Sequence, residues 1–299
     1  MGILAGKNTR VICQGFTGEQ ATFHCEQAIA CGTSIVGGVA VGYGGKKHLE
    51  RPVFDTVAEA VAETAPDAPV IFMPPTVAAD AIMEAADAGI KLIVCLTENI
   101  PVRDMVHTRR ALAGSGIRLV GPNTPGLITP GEARIGLLPA SLFKPGRIGI
   151  VSRSSTLLLE AGMQTSALGL GQSTCVGIGG DRVGGMDYVD CLRLFFADPQ
   201  TDGVILIGEI GGALEEQAAA FLAKTPPEKP VAAYIAGLHA PAGRRLGHAG
   251  ARIAAGHGDA ASKISALRDA GVHIAESPDS MGSTMQKALP GNRRPARRN

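Results

Sequence analysis

The chain has 299 residues, 45% of them hydrophobic, and a formal net charge of +1 at pH 7. Such a chain can bury one large core or two ordinary ones, and a charge this small excludes a general attraction to nucleic acid or to a membrane surface. The six cysteines form no C-x-x-C pair, which excludes the common zinc and redox motifs, so we expect no metal site. No apolar run approaches the roughly 18 residues of a membrane span, and we expect a cytoplasmic protein.

The first 125 residues alternate short β-rich runs with alanine-rich helical stretches. The predicted order is strand 9–15, helix 19–32, strand 33–40, helix 57–64, strand 69–75, a helix ending at Gly89, strand 91–98, a further helix and strand 117–123. This alternation predicts a parallel sheet that is covered by helices on both faces. We therefore expect an α/β domain over residues 1–125.

The alternation stops over residues 126–146, a segment with several prolines and glycines that predicts no long helix. We interpret this segment as the passage between two domains. The alternation resumes over residues 147–289, where predicted strands 147–152, 172–179, 202–209 and 230–237 are separated by helices. The tail, residues 290–299, is basic and contains proline, so we expect a solvated, disordered end.

A glycine loop, Q-G-F-T-G-E-Q-A at residues 14–21, directly follows the first predicted strand and opens a helix. Glycines there let backbone N–H groups approach a phosphate, whose negative charge the helix N-terminus favours. NAD would need an acidic residue at the end of the second strand, yet none appears before Glu50. That loop instead carries Lys46, Lys47 and His48. Basic residues suit a ligand with an additional phosphate, which favours coenzyme A; NADP and a merely tight turn are the alternatives.

Three loops that follow predicted strands of the second half carry groups suited to an anion. V-S-R-S-S-T-L places Ser154 and Ser155 at the start of a helix, where phosphate binds readily. I-G-E-I-G-G places Glu209 at the end of an apolar strand, and G-R-R-L-G-H-A-G-A places His248 between glycines. Because ligands collect at the carboxyl ends of parallel strands, we expect the three loops to form one site.

His248 and Glu209 suit a phosphohistidine mechanism. A neutral imidazole can attack a phosphoryl group, and a carboxylate can hold the other ring nitrogen in the required tautomer. The alternatives are a histidine without chemical function and a glutamate that caps the next helix. The sequence has no G-x-x-x-x-G-K-[ST] P-loop and no kinase signature, so ATP or GTP would lie on another polypeptide.

Together these motifs resemble the α subunit family of succinyl-CoA synthetase (succinate–CoA ligase), which includes malate–CoA ligase-type relatives. The resemblance runs from about residue 2 to about residue 289 and also rests on G-P-N-T-P-G-L-I-T-P-G-E and G-Q-S-T-C-V-G-I-G-G-D. It implies an N-terminal Rossmann-like CoA-binding domain followed by a flavodoxin-like α/β ligase domain. It also implies a β subunit with an ATP-grasp fold, which binds ATP or GTP with Mg²⁺ in a heterodimer or heterotetramer.

The resemblance implies a reaction in which an acyl phosphate forms, phosphate passes through His248, and coenzyme A captures the acyl group of a small dicarboxylate. Glu209 matches the glutamate that steadies the histidine. Ser154 and Ser155 begin the helix whose N-terminus faces the phosphohistidine. The implied coenzyme A contacts are Thr17, Gly18, Glu19, Gln20, Leu96, Thr97 and Glu98.

The sequence departs from the family pattern at several positions, three of which bear on the predicted site. Tyr43 stands where the family usually has a lysine, and Lys46 or Lys47 could supply the missing charge. Ser155 replaces a glycine, and Leu159 replaces a tyrosine that helps to bind the organic acid. Succinate is the expected acid; malate or another dicarboxylate, a non-catalytic CoA-binding paralogue and an NADP oxidoreductase are the alternatives.

Overall fold

A computed structural model describes residues 2–225, 228–241, 243, 245, 247–253 and 258–290. It divides the chain into two compact units, one formed by Ile3–Ala140 with Gly177–Met186 and one by Ser141–Val176 with the described chain from Asp187 onward. The predicted domain limits, 1–125, 126–146 and 147–289, stay a prediction. The predicted basic tail lies outside the described residues except for Pro290. Arg244 and Leu246 also lie outside them, in the segment around His248 (residues 243–253, the histidine loop).

The first unit is an α/β structure that contains one mostly parallel seven-stranded sheet and, outside that sheet, one antiparallel hairpin. Its strands are β1 (Arg10–Gln14), β2 (Ser34–Val39), β3 (Lys47–His48), β4 (Arg51–Phe54), β5 (Ala68–Ile71), β6 (Leu92–Cys95), β7 (Arg118–Val120), β8 (Gly126–Thr129) and β9 (Ala133–Gly136). Its helices are α1 (Glu19–Ala30), α2 (Val57–Thr64), α3 (Ala78–Asp87) and α4 (Val102–Leu112). The sheet has the order β3-β4-β2-β1-β5-β6-β7, and β8 and β9 pair as an antiparallel hairpin.

The order β4-β2-β1-β5-β6-β7 is the 3-2-1-4-5-6 order of the Rossmann fold, and these strands pair in parallel. The short β3 extends the sheet by one antiparallel strand. Helix α3 packs small residues against the core, since Ala78, Ala81 and Ala85 are all buried. Helix α2 starts at a capping box, in which the Thr56 hydroxyl accepts from the Glu59 N–H at 3.2 Å.

The second unit is a separate α/β structure. Its strands are β10 (Pro145–Ser152), β11 (Gln172–Gly177), β12 (Gly203–Glu209), β13 (Val231–Ala236) and β14 (His273–Ile274). Its helices are α5 (Ser155–Ala167), α6 (Tyr188–Ala197), α7 (Leu214–Lys224), α8 (Ala260–Asp269) and α9 (Met281–Ala288). These strands are ordered β11-β10-β12-β13-β14, which is the 2-1-3-4-5 order of flavodoxin-like folds.

The α/β class that the sequence predicts is confirmed in both units. Predicted helix 57–64 has the bounds of α2, whereas predicted strands such as 91–98 end earlier, here at Cys95. The last residues of such predicted strands lie instead in loops at the carboxyl edge of the sheet. The alternation does not predict β4, because this element begins with Arg51 and Pro52 and leaves an apolar run of only two residues. Among the described residues no helix combines the length and apolar character of a bilayer span.

Candidate functional site

The second sheet reverses its strand order between β10 and β12, and a crevice at such a switch point is where ligands bind in open α/β sheets. The two strands pair in parallel, with Ser152 beside Ile207, so their following residues emerge together. Arg153 follows β10 and Glu209 ends β12, a strand buried throughout. The Arg153 Nη2 atom lies 3.2 Å from Glu209 Oε1, and the side chains are only 4% and 10% exposed.

His248 contacts the other oxygen of the same carboxylate. Its Nδ1 atom lies 2.9 Å from Glu209 Oε2. An ionised carboxylate can only accept, so Nδ1 donates its proton and the neutral ring keeps a lone pair on Nε2. The His248 side chain is 26% exposed, against 10% for Glu209. The contact with Glu209 therefore fixes the tautomer in which Nε2 is the nucleophilic ring nitrogen.

The backbone of the histidine loop folds back on itself. Gly243 N–H donates to Ile253 O at 3.3 Å, Arg245 and Arg252 form an isolated antiparallel bridge, and Ala251 N–H donates to His248 O at 3.0 Å. His248 is thus the first residue of a tight turn, held on both sides by main-chain contacts.

Gly211, in the loop after β12, packs closely against the backbone of this turn. Its φ is +89°, and a Cβ built there would lie 2.0 Å from the carbonyl oxygen of Gly250. Only glycine permits this approach. The loop that follows Glu209 and the loop that carries His248 therefore lie in direct backbone contact.

The two serines of the predicted phosphate site lie where α5 begins. Ser154 is its N-cap, and the Ser154 hydroxyl accepts from Leu157 N–H at 3.3 Å. Ser155 is the first helical residue, and both serines follow Arg153, so the N-terminus of α5 opens at the same sheet edge as Glu209. Leu159 lies in the second turn of α5 and is partly buried.

A network of buried polar residues lies behind Glu209, and the sequence analysis missed it. Glu215 Oε1 accepts from the Glu209 N–H at 3.1 Å, and Lys263 Nζ donates to Glu215 Oε2. The Tyr188 hydroxyl donates to Ile207 O at 2.7 Å. Burial and then the nearby Glu215 charge raise the pKa of the Tyr188 phenol well above its usual value. One signal could have found Lys263: it is a lysine at a position of α8 where the helical period calls for an apolar residue.

The glycine loop of the first unit lies at the carboxyl end of β1, beside the switch point between β1 and β5. Phe16 is fully buried, and its ring packs on Gly38 of β2, where any Cβ would lie 2.1 Å from the ring. This packing leaves Thr17 partly exposed and turns Gly18, Glu19 and Gln20 toward solvent. The predicted contact residues thus surround the exposed N-terminus of α1 (Glu19–Ala30).

The basic loop follows β2 at the same edge. Lys46 Nζ lies 4.7 Å from the centre of the Tyr43 ring, a cation–π contact, and Tyr43 is 47% exposed. The Thr22 hydroxyl lies 2.8 Å from His48 Nε2 and 2.8 Å from Gly18 O. The basic loop is therefore tied to the first turn of α1.

Leu96, Thr97 and Glu98 follow β6, also at the carboxyl edge of the first sheet. The Thr97 hydroxyl donates to Met73 O at 2.7 Å, which joins the loops after β5 and β6. Glu98 is exposed, and Leu96 is partly buried. The structure therefore gathers all the predicted coenzyme A contacts at one edge of one sheet.

The described part of the chain contains no group of three or more His, Cys, Asp or Glu side chains that could hold a metal ion. Five of the six free cysteines are buried. Burial raises the pKa of the Cys95 thiol to about 12, so this thiol stays protonated at neutral pH.

Two family models match the chain, a CoA binding domain over residues 6–99 and a CoA-ligase over residues 151–273. The α subunit of ADP-forming succinate–CoA ligase from Aquifex aeolicus is 50% identical over 291 residues, which cover 97% of this chain and 95% of that one. The α subunit 2 from Archaeoglobus fulgidus is 50% identical over 289 residues, covering 97% and 100%.

Among solved structures, ATP citrate lyase from Methanothrix soehngenii in complex with citrate and coenzyme A superposes with a TM-score of 0.84 at 26% identity. The match covers 95% of this chain and 50% of that one, so this chain spans about half the length of the lyase.

Proposed function

The chain belongs to the succinate–CoA ligase α subunit family, and from that premise we propose that it joins succinate to coenzyme A at the expense of ATP or GTP. The observation that carries this proposal is the 2.9 Å contact between His248 Nδ1 and Glu209 Oε2, at the switch point of the second sheet. The 50% identity to named α subunits over 97% of the chain supports the same assignment.

In the proposed reaction His248 Nε2 forms a bond to the terminal phosphorus of the nucleotide, and the bond to the nucleoside diphosphate breaks. The phosphoryl group then passes to a carboxylate oxygen of the acid, and the coenzyme A thiolate displaces it as inorganic phosphate. Glu209 keeps the Nδ1 proton in place, so that Nε2 is the nucleophile. Arg153 balances the Glu209 charge from 3.2 Å.

The N-terminus of α5, with Ser154 and Ser155, suits the phosphate that His248 would carry. Helix N-termini present unpaired N–H groups and a positive dipole end to an anion. Leu159 would line the acid-binding side of the same helix, one turn further along.

For coenzyme A we propose the carboxyl edge of the first sheet. The N-terminus of α1, with Thr17, Gly18, Glu19 and Gln20, would face a phosphate, and Leu96, Thr97 and Glu98 would flank the ligand from β6. Tyr43 and Lys46 are an exposed aromatic–cation pair beside it. Such a pair can stack on the adenine and neutralise an additional phosphate.

The partner in this proposal is a β subunit with an ATP-grasp fold that holds ATP or GTP with Mg²⁺, in a cytoplasmic heterodimer or heterotetramer. The absence of a P-loop motif from the printed sequence supports a nucleotide site on a second chain. The word subunit in the names of the curated relatives supports it as well.

Phosphorylation of the purified complex tests the function. The chain is produced with its β subunit and incubated with ATP labelled in the terminal phosphate. We expect label on this chain that is labile to acid and stable to base, lost in His248→Asn and retained in His273→Asn, a control at an exposed histidine of β14. Label that survives His248→Asn would contradict the proposal.

A substituted dicarboxylate such as malate is the second candidate, since Leu159 replaces the phenol that the family resemblance places near the acid. A panel of acids in a CoA-dependent ADP-release assay distinguishes the two. Turnover with any acid excludes a non-catalytic CoA-binding paralogue. We expect Leu159→Tyr to shift the preference toward succinate.

A further inference from the structure

Lys263 is the most unusual charged residue of the second unit. Its side chain has no exposure to solvent, although it carries an ammonium group. Nζ donates to Glu215 Oε2, to Glu216 Oε2 at 3.0 Å and to Gly212 O at 3.1 Å. An ammonium has three protons, so these three acceptors satisfy it completely.

Glu215 connects this lysine to the backbone of Glu209. Its side chain is also fully buried, and while Oε2 accepts from Lys263, Oε1 accepts from the Glu209 N–H at 3.1 Å. Gly208 makes room for the contact, because a Cβ there would lie 2.6 Å from Glu215 Oε1. One carboxylate therefore spans the distance from α8 to the last residue of β12.

The loop between Glu209 and Gly212 is consequently held at both ends by the same ion pair. Glu215 holds its first N–H, and Lys263 holds its last carbonyl. Between these anchors Gly211 lies against Gly250 of the histidine loop. The Glu209 side chain itself reaches the imidazole. Any shift of the anchored loop is thus transmitted to the histidine by a hydrogen bond and by a backbone contact.

We propose that Lys263 and Glu215 are positioning residues, which fix Glu209 and the turn beneath His248 so that its Nε2 faces the phosphoryl group. The inference rests on the proposed function of His248. A buried ion pair adds little net stability compared with apolar side chains of the same volume, but its bonds have a direction that apolar contacts lack. Backbone hydrogen bonds hold the middle of the loop, from Ile210 N–H to Ala236 O at 3.1 Å and from Gly211 N–H to Gly258 O at 2.7 Å. The ion pair adds directional bonds at the two ends, the first of which is Glu209 itself.

The test compares Lys263→Met with Glu215→Gln in the purified complex with the β subunit. Glu215→Gln keeps an acceptor for the Glu209 N–H but turns the amide N–H₂ toward Lys263. Lys224→Met, at an exposed lysine of α7, is the matched control. We expect phosphorylation of the histidine to slow about 10- to 100-fold in both test variants, with an unchanged KM for ATP, because a shift near 1 Å misaligns the nucleophile.

A second readout needs no phosphoryl transfer. Nitrogen-15 NMR of histidine-labelled chain, with the His248 signal assigned through His248→Asn, reports which ring nitrogen carries the proton. In the wild type and in Lys224→Met we expect a single Nδ1–H form, and in the two test variants a mixture of tautomers. If the wild-type complex takes up no label, the proposed function fails, while the tautomer still decides the positioning role.

The double variant Lys263→Met/Glu215→Met separates positioning from folding. Removing both charges avoids an uncompensated buried ion, so its unfolding midpoint should exceed that of Lys263→Met, while the rate and the tautomer stay impaired. Should Lys263→Met fail to fold, Glu215→Gln and the double variant carry the test. Wild-type rate and tautomer in either of these folded variants would overturn the proposal.

Discussion

Replacing Gly211 by alanine adds one methyl group at the point where the loop after β12 meets the histidine loop. The new Cβ would lie 2.0 Å from the Gly250 carbonyl oxygen and 2.8 Å from Arg252 N. Since both are backbone atoms, no side-chain rotation relieves the overlap. The turn that begins at His248 must move as a whole.

The size of that movement follows from the contact distances. Separating Cβ and the Gly250 oxygen from 2.0 Å to an ordinary 3.4 Å requires about 1.4 Å. This displacement is enough to break the 2.9 Å bond between His248 and Glu209. A misplacement near 1 Å costs about 100-fold in rate, and we expect a loss of that size in phosphorylation. The left-handed φ of +89° adds about 1–2 kcal/mol of strain, partly offset because alanine restricts the unfolded chain.

Gly271→Ala is the control, since its φ of +82° imposes the same strain while no atom lies within 4 Å of the added Cβ. Single-turnover phosphorylation in the complex, together with urea unfolding, separates the two effects. We expect similar losses of unfolding free energy attributable to strain in both variants, and the large rate loss only in Gly211→Ala. Equal phosphorylation rates in the two variants would refute the reasoning.

Three further predictions concern buried or half-buried groups. Arg153→Met leaves the Glu209 carboxylate without its buried cation, and we expect urea unfolding to show a loss of about 3–5 kcal/mol. Tyr188→Phe removes one of two donors to the Ile207 carbonyl, which should lower the unfolding free energy by about 0.5–1.5 kcal/mol in the same assay. Burial and then a neighbouring guanidinium lower the pKa of His24, so its contribution to stability is lost as the pH falls below about 6.5. The non-titrating variant His24→Asn should therefore lose less stability than the wild type between about pH 7.5 and about pH 5.5 in paired unfolding curves.

The fold was largely accessible from the sequence because its signals are local. A central strand such as β12 is buried on both faces and reads as one apolar run, and glycines mark the ends of helices. The element β4 escapes prediction because its strand character comes from pairing with β2, which places Val53 beside Gly38. Predicted strands 147–152 and 202–209 end where β10 and β12 end, whereas predicted strands 69–75, 91–98 and 117–123 run too far at their carboxyl ends, where the sheet stops pairing and the loops begin.

The candidate site was accessible only in part. The residue types at Glu209 and His248 indicate their chemistry, and their positions after parallel strands indicate that they meet. Lys263 could not be assigned in this way, since a lysine on a helix is usually solvated and its partner Glu215 lies 48 residues away in the chain. Arg153 directly precedes Ser154 and Ser155, and their pattern at a helix start predicts a phosphate site without indicating a role for the arginine.

The Thr22 hydroxyl lies 2.8 Å from both Gly18 O and His48 Nε2, and it has one proton to give. A carbonyl oxygen cannot donate, so that proton goes to Gly18, and the imidazole must supply the proton of the other bond. His48 is therefore the donor in this bond, and a hydroxyl whose own proton goes to the helix backbone sets the orientation of the ring. The basic loop and the first turn of α1 are thus joined through a chain of two hydrogen bonds that both run toward Gly18.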